Sequence, residues 1–265
     1  MGQVSYEPLI RDMVWSYSRL KSFEDCPYRW YLKYIRFPKG KKKHMFFSDY
    51  GVFVHELIAD VYSGKRSAQS AGTEYLLKFR SKVIGRAPNQ RIFDSYFHDG
   101  LNYFRSCQVK NRVLSVEDRN EFSVGGLPFL GIIDRLEEDE DGGIILVDNK
   151  SRNLKPRSTR KQPTKGDEEL DSYLRQLYLY AIPVKEKFGR FPKKLCFDCF
   201  RSQTRVEEEF LPEKLEETKS WVADTVETIA KEEEFRPNME YFKCNYLCEM
   251  QGLCDYYQMN GGDIR

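Results

Sequence analysis

Asp134, Asp148 and Lys150 are the residues of this chain whose types and spacing most directly carry chemistry. Asp148 and Lys150 close the apolar run "ILVDNKS" at 145 to 151. Side chains two apart in a strand share a face, so this carboxylate and ammonium point the same way, beside Ile144 and Leu146. In the preceding run Ile132, Asp134 and Leu136 share a face by the same parity. A turn centred on Asp141, in a loop of three or five residues, pairs Asp134 with Asp148 and brings their β-carbons to roughly 5 Å. Two carboxylates closing on a half-buried surface repel and lose hydration, so the arrangement is costly without a cation between them. Magnesium or manganese suits such a place, because either is held by one or two carboxylates, keeps several waters and turns one of them into a nucleophile for a phosphodiester. Lys150 would then orient or help deprotonate that water, or offset charge in the transition state. The alternative is a pair of strand-end carboxylates facing solvent, with Lys150 as their ion-pair partner.

The elements that must position these residues change character along the chain. Ser16 and Ser18 can cap a short amphipathic helix through Leu20 and Phe23, and Pro27 suits the first turn of the next. "GVFVHELIADVY" at 51 to 62 has helical period, which places His55 on an apolar face with Val52, Ile58 or Ala59, and Tyr62. Residues 72 to 109 are mostly helical with a break near "GRAPNQ". Three alternating runs, "VLSVEDRNEFSV", "FLGIIDRLEED" and "GIILVDNKS", predict an antiparallel meander. A polar loop at 152 to 170, expected to be mobile, leads to a helix capped at Asp171 or Ser172 and weakened or kinked by Pro183. "KLCFDCFRS" and "RVEEEFLP" predict a second strand pair, followed by a long helix from Pro212 and an irregular Cys-rich tail. Gln176 and Tyr180, four apart, lie on one helical face. The organisation is one α/β domain over 1–265: a helical segment at 1–50, a core at 51–211, and a helix with the Cys-rich segment at 212–265.

At 265 residues, 40% of them hydrophobic, the chain can bury a large core. Its formal net charge of +2 excludes a polycation, so contact with nucleic acid must come from local clusters. Lys41, Lys42 and Lys43 form one, and Arg152, Lys155, Arg157, Arg160 and Lys161 lie in a stretch without acidic residues; a solvated loop is the plainer reading of each. No apolar run approaches the roughly 18 residues that span a bilayer, and no signal-peptide pattern opens the chain, so a cytoplasmic protein with no membrane association is expected. A phosphate-binding G-x-x-x-x-G-K-[ST] loop is absent from the sequence, which argues against a built-in ATP motor.

Seven cysteines in such a chain argue for metal ligation or burial over disulfides. Cys244, Cys248 and Cys254 stand as C-x3-C-x5-C in a segment with little apolar periodicity, which points to a metal. Cys196 and Cys199 look like a rival pair, but their odd separation on a strand sends them to opposite faces. They and Cys107 read as core.

"GIIDRLEEDEDGGIILVDNKS" resembles the core motif of the PD-(D/E)XK nuclease superfamily, in its RecB-like or CRISPR-associated exonuclease-like branch. "SRLKSFEDCPYRWYLKYI", "GVFVHELI" and "QLYLY" resemble the branch's Cys-Pro segment, histidine helix and Q-x-x-x-Y helix, in the same order, and the likeness runs from about residue 16 to 256. The resemblance implies a restriction-endonuclease-like α/β core, with a mixed central sheet flanked by helices. It implies that Asp134, Asp148 and the backbone carbonyl of Asn149 bind Mg2+ or Mn2+, completed or supported by His55, and that Lys150 is the catalytic lysine. Gln176 and Tyr180 would hold the substrate or the lysine, and Glu117 or Glu121 could add a carboxylate. Asn149 departs from the bulky residue often found between the aspartate and the lysine.

The same resemblance makes Cys26 the fourth ligand beside Cys244, Cys248 and Cys254, and favours a 4Fe-4S cluster of structural role over zinc, although the relatives' usual tail spacing is C-x2-C-x5-C. The implied activity is a metal-dependent DNA nuclease, with single-stranded DNA exonuclease action favoured, aromatic residues of the N-terminal helices stacking on bases, and the two basic clusters lining the DNA path. Repair, recombination, phage DNA metabolism and CRISPR processing all use such nucleases, and a helicase or other recombination or CRISPR protein is an implied partner. The rivals are a catalytically inactive DNA-binding scaffold that keeps the cluster and a zinc-stapled interaction protein.

Overall fold

Ser16 accepts a hydrogen bond from the Arg19 N–H in the computed structural model, which describes residues 6–261. After a short α1 (Glu7–Arg11), that cap opens α2 (Tyr17–Asp25), and α3 (Pro27–Tyr31) carries Pro27 in its first turn before a π turn, Leu32–Arg36. Helices α4 (Phe46–Tyr62), α5 (Ala68–Lys82) and α6 (Gln90–Ser106) pack on one another through Tyr50, Phe53, Leu57, Tyr75, Phe79 and Phe104. Helix α4 begins before residue 51, so the expected edge of the core falls inside it. The apolar face expected for this helix is corrected. Tyr50, Phe53, Val54, Leu57, Ile58 and Val61 are buried, whereas Val52 is exposed and His55 half-buried, so the stripe through Val52, His55 and Ala59 faces a cleft.

The meander forms as its alternation predicts. β1 (Arg112–Val124), β2 (Leu127–Glu138) and β3 (Ile144–Lys150) are antiparallel, and a five-residue loop centred on Asp141 joins the last two. The pairs Arg135↔Val147 and Leu136↔Leu146, continued one step, set Asp134 opposite Asp148. Parallel neighbours cannot be joined by a hairpin. The next helix, α7 (Lys165–Phe188), supplies the crossover to β4 (Lys194–Cys199), which lies parallel to β3, and β5 (Thr204–Glu209) closes the order β1-β2-β3-β4-β5.

Helix α7 starts at a cap on Thr164, not at Asp171 or Ser172. The Thr164 hydroxyl accepts the Asp167 N–H, and the Asp167 carboxylate accepts the Thr164 N–H at 2.7 Å in a capping box. The same carboxylate holds the Ser158 N–H at 2.7 Å. The preceding loop is further tied by buried Leu154 and by the Arg157 ion pairs to Asp171 and Glu208. Pro183 lies inside α7 among its buried residues, and the helix continues past it for five residues, to Phe188.

α7 packs on one face of the sheet and α8 (Pro212–Lys231) packs against α7, with Leu146, Leu177, Leu195, Phe197 and Val222 in the main core. The tail holds α9 (Tyr241–Tyr246), a 3-10 turn, Gln251–Leu253, and α10 (Asp255–Met259). Cys199 packs into the main core and Cys196 into a small cluster with Ile145 and Val147, the opposite-face placement that their spacing predicts. Cys107 is only partly buried, against the α4–α6 core.

Candidate metal centre

Burial on both sides of β3 forces every polar group on it to find a partner. Lys150 Nζ lies 2.7 Å from Asp148 Oδ2 and donates to Gln176 Oε1 at 3.0 Å. Gln176 Nε2 donates to Asp148 Oδ1 at 2.8 Å and to the Tyr180 hydroxyl at 3.4 Å. One amide from α7 thus holds both ends of the Asp-x-Lys pair. The Asn149 N–H donates to Asp134 Oδ2 at 2.7 Å, and His55 Nδ1 lies 3.5 Å from that same oxygen.

His55, Glu117 and Asp134 each present a ligand atom, and these atoms lie within 4.8 Å of one another. They line a cleft of about 790 Å³ whose apolar wall includes Val52, Ala59 and Ile132. Glu117 reaches it through an irregularity of β1, where its φ of 50° lies in the left-handed region that non-glycine residues rarely adopt. Glu121 stands apart, its side chain 75% exposed and paired with Arg119. Of the two glutamates, Glu117 is the one whose carboxylate converges with His55 and Asp134. Glu117→Gln is expected to weaken Mn2+ binding by about 10-fold or more, the usual size of effect for groups that tune a metal site, and Glu121→Gln to leave it unchanged. Titration calorimetry of the DNA-free protein decides this, and equal affinities for the two variants would remove Glu117 from the centre.

Desolvation, then the charge of Asp148, holds the Asp134 carboxyl well above the usual carboxylate range, and the same two causes raise Glu117. Desolvation lowers His55 against the pull of Asp148, which favours the neutral ring that ligates metals. Burial acts to lower Lys150, but the charge and hydrogen bond of Asp148 outweigh it and the ammonium is held above its ordinary value. Burial pushes the Tyr180 hydroxyl up to about 12. Asp148 Oδ2 is buried, and its charged partner is Lys150 Nζ at 2.7 Å. Converging carboxylates and a neutral imidazole fit a hard divalent cation.

The basic residues differ in availability. Lys41, Lys42, Lys155, Arg160 and Lys161 are exposed. Arg152 pairs with Glu169, and Arg157 with Asp171 and Glu208, so local carboxylates already offset both. Lys43 binds the tail instead, through its N–H to the Glu249 carbonyl at 3.0 Å and its ammonium to Gln251. The expectation that N-terminal aromatics stack on bases is corrected for tryptophan: Trp15 and Trp30 are fully buried, and Trp30 stacks on Phe235.

Cys26 caps α3, its Sγ accepting the Arg29 N–H at 3.4 Å, and packs with Cys248, Cys254, Tyr28, Leu32 and Met250. Burial pushes the Cys248 thiol up to about 12. The Cys254 thiol is raised by burial first, with Cys26 and Cys244 acting in the same direction. Lys33–Glu249 at 3.1 Å and Arg36–Asp255 at 2.5 Å join the same two segments.

Fold and cleft together define a mixed α/β protein with a lysine-bearing, acidic centre at the end of its sheet. Residues 14–255 match the family model of the PD-(D/E)XK nuclease superfamily, and the chain belongs to that superfamily. Its general activity is therefore nucleolytic hydrolysis supported by divalent metal ions, with DNA as the implied substrate. No curated protein matches the sequence. Among solved structures, the chain is similar to one described as the crystal structure of SSO0001, at 18% identity over 90% of this chain and 95% of that one, with a TM-score of 0.32. Among the described residues, no helix is long and apolar enough to cross a membrane.

Proposed function

We propose that this protein is a metal-dependent deoxyribonuclease of the RecB-like, iron-sulfur type, acting on single-stranded DNA from an end. The observation that carries the reading is the Gln176 clamp, which holds Asp148 and Lys150 together in a buried strand beside the His55, Glu117 and Asp134 cleft. Asp134, Asp148, Glu117, His55 and the Asn149 carbonyl would hold Mg2+ or Mn2+. When bound, the cation supplies Lewis-acid charge beside the phosphate and makes water a competent nucleophile at neutral pH. Lys150 presents its protonated ammonium to the non-bridging phosphate oxygens and stabilises the charge that develops there. Gln176 fixes that ammonium, and Tyr180 fixes Gln176. Val52 and Ile132 are exposed on the cleft wall, an apolar surface for an unpaired base, which supports the single-strand reading. Cys26, Cys244, Cys248 and Cys254 would hold the 4Fe-4S cluster as a staple between the chain's two end segments.

The test uses anaerobically purified protein, Mn2+ and end-labelled single-stranded DNA, with Lys150→Ala beside the wild type. The wild type is expected to shorten the strand. The variant should bind DNA equally and cut it at least about 10²-fold more slowly, the range for loss of one positioned proton-transfer or charge-stabilising group. Binding without cleavage by both proteins would favour the scaffold reading instead.

A further inference from the structure

Asn149 lies between Asp148 and Lys150, and alternation turns its side chain to the face of the sheet opposite theirs. Arg135 meets it there. Its Nη1 donates to Asn149 Oδ1 at 3.0 Å, its Nε to Glu137 Oε1 at 2.6 Å and its Nη2 to Asp198 Oδ2 at 2.9 Å. The guanidinium centre sits 3.7 Å from the Tyr62 ring centroid, and the residue is 1% exposed. Glu137 is itself held by Arg205 and Asn111 at 3.0 and 2.8 Å, and Asp198 accepts from the Tyr103 hydroxyl at 3.4 Å. Turning Arg135 would leave several buried polar groups unpaired, so this residue is a fixed point.

The backbone of Asn149 faces the centre. Its N–H donates to Asp134 Oδ2 at 2.7 Å, and His55 Nδ1 lies 3.5 Å from that same oxygen. Movement of this one peptide would shift Asp134 and, through that shared oxygen, its approach to His55. Metal sites depend on the partners that aim their ligands, and loss of such a partner typically costs about 10- to 100-fold in affinity.

We propose that Arg135 is a positioning residue of the centre, acting through the Asn149 side chain to hold the peptide that aims Asp134. The inference rests on the reading of these residues as a divalent-cation centre, and the test separates the two. Mn2+ dissociation constants are measured by electron paramagnetic resonance on the full-length, DNA-free protein, for the wild type, Asn149→Leu and Asp198→Asn, with circular dichroism to confirm folding. Asn149→Leu removes the acceptor of Arg135 but keeps the peptide, and is expected to weaken Mn2+ binding by about 10- to 100-fold. Asp198→Asn loosens Arg135 from its far side without touching the centre, and is expected to weaken binding a few-fold. A purely structural role would lower the melting temperature and leave the Mn2+ affinity of the folded protein unchanged. Wild-type affinity in a folded Asn149→Leu overturns the proposal, and if that variant does not fold, wild-type affinity in Asp198→Asn does so. A wild type that binds no Mn2+ sinks the metal reading itself and the inference with it.

Discussion

Asp134→Asn is expected to lower cleavage by about 10³-fold or more and, at the same time, to stabilise the metal-free protein. The first effect follows from removing an anionic ligand at the point where His55, Glu117 and the Asn149 peptide converge. The second follows from linkage. Desolvation and Asp148 raise the folded-state pKa of Asp134 above its unfolded value near 3.9. Its favourable contribution is therefore fully present below that unfolded value and is lost as pH rises through the raised one. Glu117 adds in the same direction. Asparagine resembles the protonated carboxyl at every pH and can still accept the Asn149 N–H. In chelator, wild type and variant should melt together near pH 4, and the variant should melt a few degrees higher near pH 8. Mn2+ should restore the wild type most at high pH, where cation rather than proton offsets the carboxylates. Thermal scans between pH 4 and 8 read both effects. Parallel curves for the two proteins would mean that the carboxylates do not repel and that no cation is required between them.

What strand parity and a turn can specify was legible: Asp134 and Asp148 fall opposite each other because side-chain period and loop length are local properties. Gln176 is different. Its position on a helical face is local, but its grip on Asp148 and Lys150 crosses 26 to 28 residues and entered only through resemblance to a family. Glu117 was one of two equal choices because its selection depends on a left-handed residue within a strand, which nothing in "SVEDRNEF" signals. The apolar face of α4 is displaced from the one its periodicity suggests, since a helix lining a cleft carries apolar residues on its exposed side too, here Val52 and Ala59. The start of α7 is hidden in the sequence because Thr164 and Asp167 sit in a polar, Pro-containing stretch that reads as loop until their reciprocal hydrogen bonds are seen. Arg135 was invisible as a buried charge. Its partners Asn149 and Asp198 are 14 and 63 residues away, and only the sheet brings them together.

Loss of one ligand of the cysteine staple should unfold more than the tail. The C-terminal segment folds back on α3 through Cys26, Tyr28 and Leu32, and its own elements are short: six residues in α9 and five in α10. Helices of that length have no independent stability in water, so contacts with the N-terminal segment hold them, joined by the thiolate site if the proposed cluster is bound. Tyr28, which donates to Asp255 at 2.8 Å, and Lys33, which pairs with Glu249, lie in the same seam. A partly exposed ion pair such as Lys33–Glu249 contributes little by itself. Burial raises the Cys248 and Cys254 thiols, so without metal these groups stay protonated and supply only modest packing. Binding of a metal or cluster would draw the thiolates together and make its affinity part of the folding free energy. Cys248→Ser is accordingly expected to lose the bound metal and to lower the melting temperature by roughly 6–12 °C, taking about 3 kcal/mol at about 2–4 °C each for a chain of this size. Cys196→Ser, a buried thiol remote from the seam, should keep its metal. Iron and zinc analysis of anaerobic preparations, with the visible spectrum, distinguishes cluster from zinc. Full metal content and unchanged melting in Cys248→Ser would show that the four cysteines are packing residues, and that the two ends of the chain are joined by the Tyr28, Leu32 and Met250 contacts alone.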